Sequence, residues 1–187
     1  MIRWLLLLVV GLALGAIVHL VTVMVLPRTA TRDAYQRLSA IASVNTVVPI
    51  PTPTPDAAVM PFMDPAFAGA VCRYDLSQGP LKFTVPVSLA YTSVSFYSRY
   101  DVAYYAINDR AAGRRVIELE LMTSAQRAEV PEEEDVTAAD RLIVESPTTT
   151  GLIAIRALAP EPGLMPMARG TVAAAQCRTQ NEPRASR

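Results

Sequence analysis

Residues 70–107 read AVCRYDLSQGPLKFTVPVSLAYTSVSFYSRYDVAYYAI. Four short runs in this stretch, Ala70 to Leu76, Leu81 to Val87, Thr92 to Ser98 and Val102 to Ile107, are rich in Val, Tyr and Phe. Such residues fit a pleated, half-buried surface, and turn signals separate the runs, so each reads as a strand. Gln78-Gly79-Pro80 closes the first, and Ser98-Arg99-Tyr100-Asp101 turns the third into the fourth. Toward the C-terminus, Arg115 to Met122 alternates: Val116, Glu118, Glu120 and Met122 oppose Ile117, Leu119 and Leu121. The charge run Glu132-Glu133-Glu134-Asp135 reads as a solvated loop. Asp140 to Glu145 and Gly151 to Leu158 add two strands across a turn at Thr148-Thr149-Thr150-Gly151. Met165 to Gln176, with Val172 and three alanines, reads as a helix that returns Cys177 to the sheet. Seven strands and one closing helix predict a mainly β, α+β domain: a small antiparallel β-sandwich or half-open barrel with a C-terminal helix.

Toward the N-terminus the composition changes twice. Pro49 to Asp56, PIPTPTPD, favours an extended spacer, so residues 49–63 are expected to be a Pro-rich linker. Ala34, Leu38, Ile41 and Ala42 recur at helical spacing, which predicts a juxtamembrane amphipathic helix over 28–48. Residues 1–27 carry the strongest single signal. From Trp4 to Leu26 no charged residue interrupts an apolar run that, at roughly 1.5 Å per residue, exceeds the ~30 Å bilayer core. The run is longer than a signal-peptide core, and a cut after Ala30 would place Arg28 at −3, so the segment reads as an uncleaved signal anchor. The expected domain is then 64–178, followed by a disordered tail over 179–187.

Flanking charge does not settle orientation, because Arg28, Arg32 and Arg37 follow the span while Arg3 and the α-amine precede it. The three-residue N-terminal tail and the paired cysteines both favour export. The expected location is therefore a bacterial inner membrane with the domain in the periplasm. Gly11 and Gly15 form a GxxxG pair suited to homodimeric helix packing, although glycine is also common in membrane helices. His19 has no ionisable partner in the span and reads as interfacial rather than as a proton relay.

Lys and Arg total 17, as do Asp and Glu, so the chain lacks the electrostatic footprint of a nucleic-acid binder. Cys72 and Cys177 make one pair without CxxC spacing, too few for a zinc site. In an oxidising compartment they read as a structural disulfide.

The domain contains no histidine, which removes Ser-His and Cys-His catalysis, and no GxSxG, HExxH, Walker or dinucleotide motif is present. Glu118 and Glu120 share a strand face with a solvated pattern. No cofactor or metal is expected. One cluster stands out: Tyr91, Phe96, Tyr97, Tyr100, Tyr104 and Tyr105, followed by Asn108-Asp109-Arg110. Tyr91, Tyr97, Tyr104, Asn108 and Arg110 could line a ligand or partner surface, or the aromatics could pair across strands in a β core.

The runs AVCRYDLSQGPLKFTVPV and SVSFYSRYDVAYYAINDRAAG resemble the bacterial family of domain of unknown function 1254. The resemblance rests on Asp75, Leu76, Ser77, Gly79, Pro80, Val85, Pro86, Asn108 and Arg110, and VESPTTTGLIAIRALAPEPG extends it toward Cys177. It implies a β-rich fold and an envelope location, and it brings no activity or catalytic residues. The resemblance implies a second β-rich domain in larger members of that family, and this chain is expected to be a shorter, membrane-anchored version. The expectation is a non-catalytic, membrane-anchored interaction module that binds another envelope protein. The alternative is a small-ligand-binding module using the tyrosine cluster and Arg110.

Overall fold

The computed structural model describes residues 1–29, 33–54, 56–112, 115–130 and 142–180. The chain divides into two units, Met1–Asp33 and Ala34–Arg187. The first holds α1, Ile2–Thr29. Within it Ile2–Leu26 has a mean hydropathy of 2.6 and is long and apolar enough to cross a membrane. Thr22 donates to the Val18 carbonyl at 2.8 Å, so this hydroxyl is satisfied inside the helix. Apart from the helix's own nearby backbone, nothing lies within 4 Å of a Cβ built on Gly11 or Gly15.

The second unit packs two sheets. One has the order β1 (Val47–Ile50), β2 (Phe67–Asp75), β8 (Thr150–Leu158), β4 (Thr92–Ser98), β5 (Ala103–Asn108). The other runs β7 (Leu142–Ser146), β6 (Val116–Thr123), β3 (Leu81–Pro86), β9 (Gln176–Thr179). Alternation along the strands builds the core between them. Ala70, Cys72 and Tyr74 of β2, Val94 and Phe96 of β4, and Ile153 and Ile155 of β8 meet Leu81, Phe83 and Val85 of β3 and Ile117, Leu119 and Leu121 of β6. Phe83 and Phe96 meet edge to face across the sheets, with ring centroids 6.1 Å apart. The Cys72–Cys177 disulfide joins β2 to β9, with Cα atoms 6.5 Å apart. Helix α4 (Met165–Ala173) buries Ala168 and Val172 in the same core as Ala68, Ala70 and Ala157, whose small side chains leave room for it.

Four expectations are corrected. The sheets contain two further edge strands, β1 and β9, and β7 lies parallel to β6, not antiparallel. Of the helix expected over 28–48, the described residues from Asp33 onward keep only α2, Ala34–Ser39. Asn45, with φ 53°, turns the chain, and its side chain bridges the edge of β2: Nδ2 donates to the Asp75 carbonyl and Oδ1 accepts from the Asp75 amide at 2.8 Å. The β-branched run Thr46-Val47-Val48 then continues as β1. The third correction concerns the linker expected over 49–63, which packs on the domain. Ile50, Val59 and Met60 join Leu38, Ala42, Val71 and Leu152 in a second apolar cluster on the outer face of the five-stranded sheet. Proline signals a spacer in sequence, but Pro49 sits in an edge strand, where its missing N–H is tolerated. Fourth, the compact unit accordingly starts near Ala34 rather than at residue 64.

The described chain closes with Thr179 in β9, and the Gln180 amide donates to the Pro80 carbonyl. The rest of the expected tail, residues 181–187, and the charge run Glu132-Glu133-Glu134-Asp135 lie outside the described residues.

Candidate functional site

The five residues singled out from the sequence do not form one surface. Tyr104 turns inward. β4 and β5 pair Phe96 with Tyr105 but Tyr97 with Ala103, so Tyr104 is the extra residue of a bulge. The bulge lets both rings pack on Phe96, with centroids at 6.3 Å for Tyr104 and 5.8 Å for Tyr105. The Tyr104 hydroxyl lies 3.1 Å from that of Tyr74. Burial, reinforced by the neighbouring Tyr74, pushes the Tyr104 phenol well above its ordinary pKa. Tyr97 faces the other way, against the second apolar cluster, while its carbonyl accepts from Tyr74 at 3.2 Å. Arg110 is exposed on α3, the single helical turn Asp109–Ala112. Asn108 starts that turn, its Oδ1 accepting from the Arg110 and Ala111 amides at 3.1 Å each.

Tyr91 and Asn108 do share a site. They line an open groove of about 390 Å³ on the outer face of the five-stranded sheet, with Phe67, Ser93, Ser95, Ala106, Ile107, Ala111 and Arg156. Strand register explains why these residues converge. Gly69, Arg156, Ser93 and Asn108 stand opposite one another across β2, β8, β4 and β5, all on the outward side. The next outward row is Val71, Ala154, Ser95 and Ala106. Serine and alanine in the middle of that face leave a depression that larger side chains would fill. The Arg156 side chain makes no ion pair or hydrogen bond among the described residues, and no acidic side chain lines the groove.

Sequence reasoning did not find Arg156, Ser93 or Ser95. An arginine within the apolar strand GLIAIRAL marks an outward position, but only the strand order β8-β4-β5 places it beside Ser93 and Asn108. Glu118, by contrast, lies on the solvent face as its alternation indicates, and pairs with Lys82 at 2.6 Å. Among the described residues no three His, Cys, Asp or Glu side chains gather as a metal site.

The groove opens beside β5, which ends its sheet. Among the described residues nothing pairs with its free edge, and Ala103, Tyr104, Tyr105, Ala106 and Ile107 carry no charge and no proline. The opposite edge strand contains Pro49.

Comparison with solved structures gives a likeness to the VPA0106 protein from Vibrio parahaemolyticus, with a TM-score of 0.59 and 14% identity over 82% of this chain. An uncharacterised protein from Burkholderia cenocepacia aligns over 72% of the chain with a TM-score of 0.45 and 14% identity. At that identity the first likeness speaks for the fold alone. The chain spans only about a third of these proteins' lengths, 36% and 34% respectively. No curated protein matches. The family model DUF1254, "Protein of unknown function", matches residues 44–179, which begin at the edge of β1 and end with β9. The chain therefore belongs to the DUF1254 family, and the match takes in both sheets of its β domain.

Proposed function

We propose that this chain is a non-catalytic interaction module of the bacterial cell envelope. In this reading α1 anchors it in the inner membrane, the β domain stands in the periplasm, and an extended segment of an envelope protein pairs with β5. The open edge of β5 carries the proposal. Sheet edges present unpaired N–H and C=O groups, and proteins ordinarily blunt them with proline, charge or a covering element. Here β1 has Pro49, whereas β5 has none of these among the described residues. Strand addition supplies affinity through main-chain hydrogen bonds. The anchoring rests on the apolar Ile2–Leu26 helix, and the Cys72–Cys177 disulfide suits an oxidising compartment.

Adding charge to the edge tests the reading. The Ala103→Lys variant, expressed as the full chain in its membrane, should fold with an unchanged melting temperature and lose the protein crosslinked to the wild type. Retention of the same partner by the variant would overturn the β5 assignment.

A further inference from the structure

The groove on the outer sheet face has a chemistry that strand pairing does not use. Arg156, Ser93 and Asn108 lie in one cross-strand row, with Ser95 in the next. Phe67 and Tyr91 add aromatic walls, and no carboxylate lines the space to neutralise the guanidinium. The Asn108 Oδ1 atom is engaged by α3, which leaves its Nδ2 as a donor toward the groove. Donors therefore outnumber anionic acceptors, and the only formal charge among the lining residues is positive. A guanidinium presents paired N–H groups that match the two oxygens of a carboxylate. The volume of about 390 Å³ falls at the small end of ligand pockets.

We infer that this groove binds a small amphipathic monocarboxylate, its carboxylate on Arg156 with Ser93 and Asn108, its apolar body against Phe67 and the ring of Tyr91. The site differs from the tyrosine–Arg110 surface expected from the sequence, because Tyr104 is in the core and Arg110 does not line the groove. The site uses side chains on the outer sheet face, whereas strand addition at β5 uses the backbone groups along that strand's free edge.

The test is a titration of the isotope-labelled full chain in lipid nanodiscs with phenylacetate, followed by amide resonances, with phenylacetamide as the uncharged counterpart. Phenylacetate should give saturable shifts centred on Ser93, Ser95, Asn108 and Arg156, and phenylacetamide should bind at least about tenfold more weakly. Arg156→Gln, an exposed substitution, should weaken phenylacetate by about tenfold or more while leaving the melting temperature unchanged. Ser93→Leu, which fills the depression, should abolish the shifts. Absence of saturable shifts at these residues, equal binding of the two compounds, or indifference to Arg156→Gln would each overturn the inference. The Ala103→Lys variant separates the two proposals, since Ala103 does not line the groove: loss of the crosslinked protein there should leave phenylacetate binding by Arg156 unchanged.

Discussion

The hydroxyl of Tyr74, on β2, stands 2.9 Å from Oγ of Ser146, on β7, and so joins the two sheets by a buried polar contact. Ser146 passes the connection on, donating to the Thr148 carbonyl at 2.6 Å, while Thr148 Oγ1 donates to the Thr150 carbonyl at 2.7 Å and accepts from the Arg99 amide. Tyr74 also meets the Tyr97 carbonyl and the Tyr104 hydroxyl. A phenol at the centre of an apolar core is tolerated because each of its neighbours is a partner.

Tyr74→Phe keeps the ring and removes the shared hydroxyl. The Tyr104 hydroxyl and Tyr97 carbonyl then lose a partner in the interior, so the variant should be destabilised by about 1–3 kcal/mol in denaturant unfolding. A change well below that range would mean that the network is dispensable.

Gly151 is fixed by the same residues. A Cβ built there would lie 2.2 Å from the Tyr97 carbonyl oxygen and 2.3 Å from the Tyr74 hydroxyl. Gly151→Ala should therefore cost about 3 kcal/mol or more, since backbone and a packed ring cannot both move away. Gly163→Ala, where nothing lies within 4 Å, should stay within about 0.5 kcal/mol of the wild type. Equal stability of the two variants would contradict the packing.

Tyr104 gives a pH signature. Its phenol holds its proton in the fold to higher pH than in the unfolded chain, because burial penalises the phenolate. As pH rises above about 10 the unfolded state loses that proton first. The unfolded state then binds fewer protons than the native one, and stability falls with a slope approaching about 1.4 kcal/mol per pH unit from this group. Stability conferred by the neutral phenol is complete below about pH 10 and is lost above it. Thermal melts from pH 9 to 11 should show a shallower decline for Tyr104→Phe than for the wild type.

The Cys72–Cys177 bridge closes a loop with a sequence separation of 105. In the chain-entropy model, replacing both cysteines by alanine should cost about 4–5 kcal/mol. The midpoint of denaturant unfolding should fall accordingly, and reducing agent should move the wild type in the same direction but leave the double variant unchanged.

Much of this architecture was legible in the sequence because the strands alternate strongly. Thr92 to Ser98 matches β4 at both ends, and Leu81 to Val87 exceeds β3 by one residue. The two missed strands are four-residue edges, Val47–Ile50 and Gln176–Thr179, too short to show a period, one of them disguised by Pro49. The tyrosine cluster was visible as composition, but its division was not. A one-residue bulge sends Tyr104 into the core, and Tyr97 falls on the opposite face from its neighbour Phe96. The groove was less legible still, since it depends on strand order: Ser93, Asn108 and Arg156 lie far apart in sequence and meet only because β8, β4 and β5 are adjacent.

The central claim is that β5 takes a partner strand, and site-specific photocrosslinking in intact cells tests it most directly. A benzophenone amino acid would replace Ala103 or Ala106 on the edge, and Glu118 on the solvent face of the other sheet as the control. The account predicts one envelope protein crosslinked from both β5 positions through an extended segment, and none from position 118. Crosslinks of equal yield from all three positions, or none from β5, would contradict it.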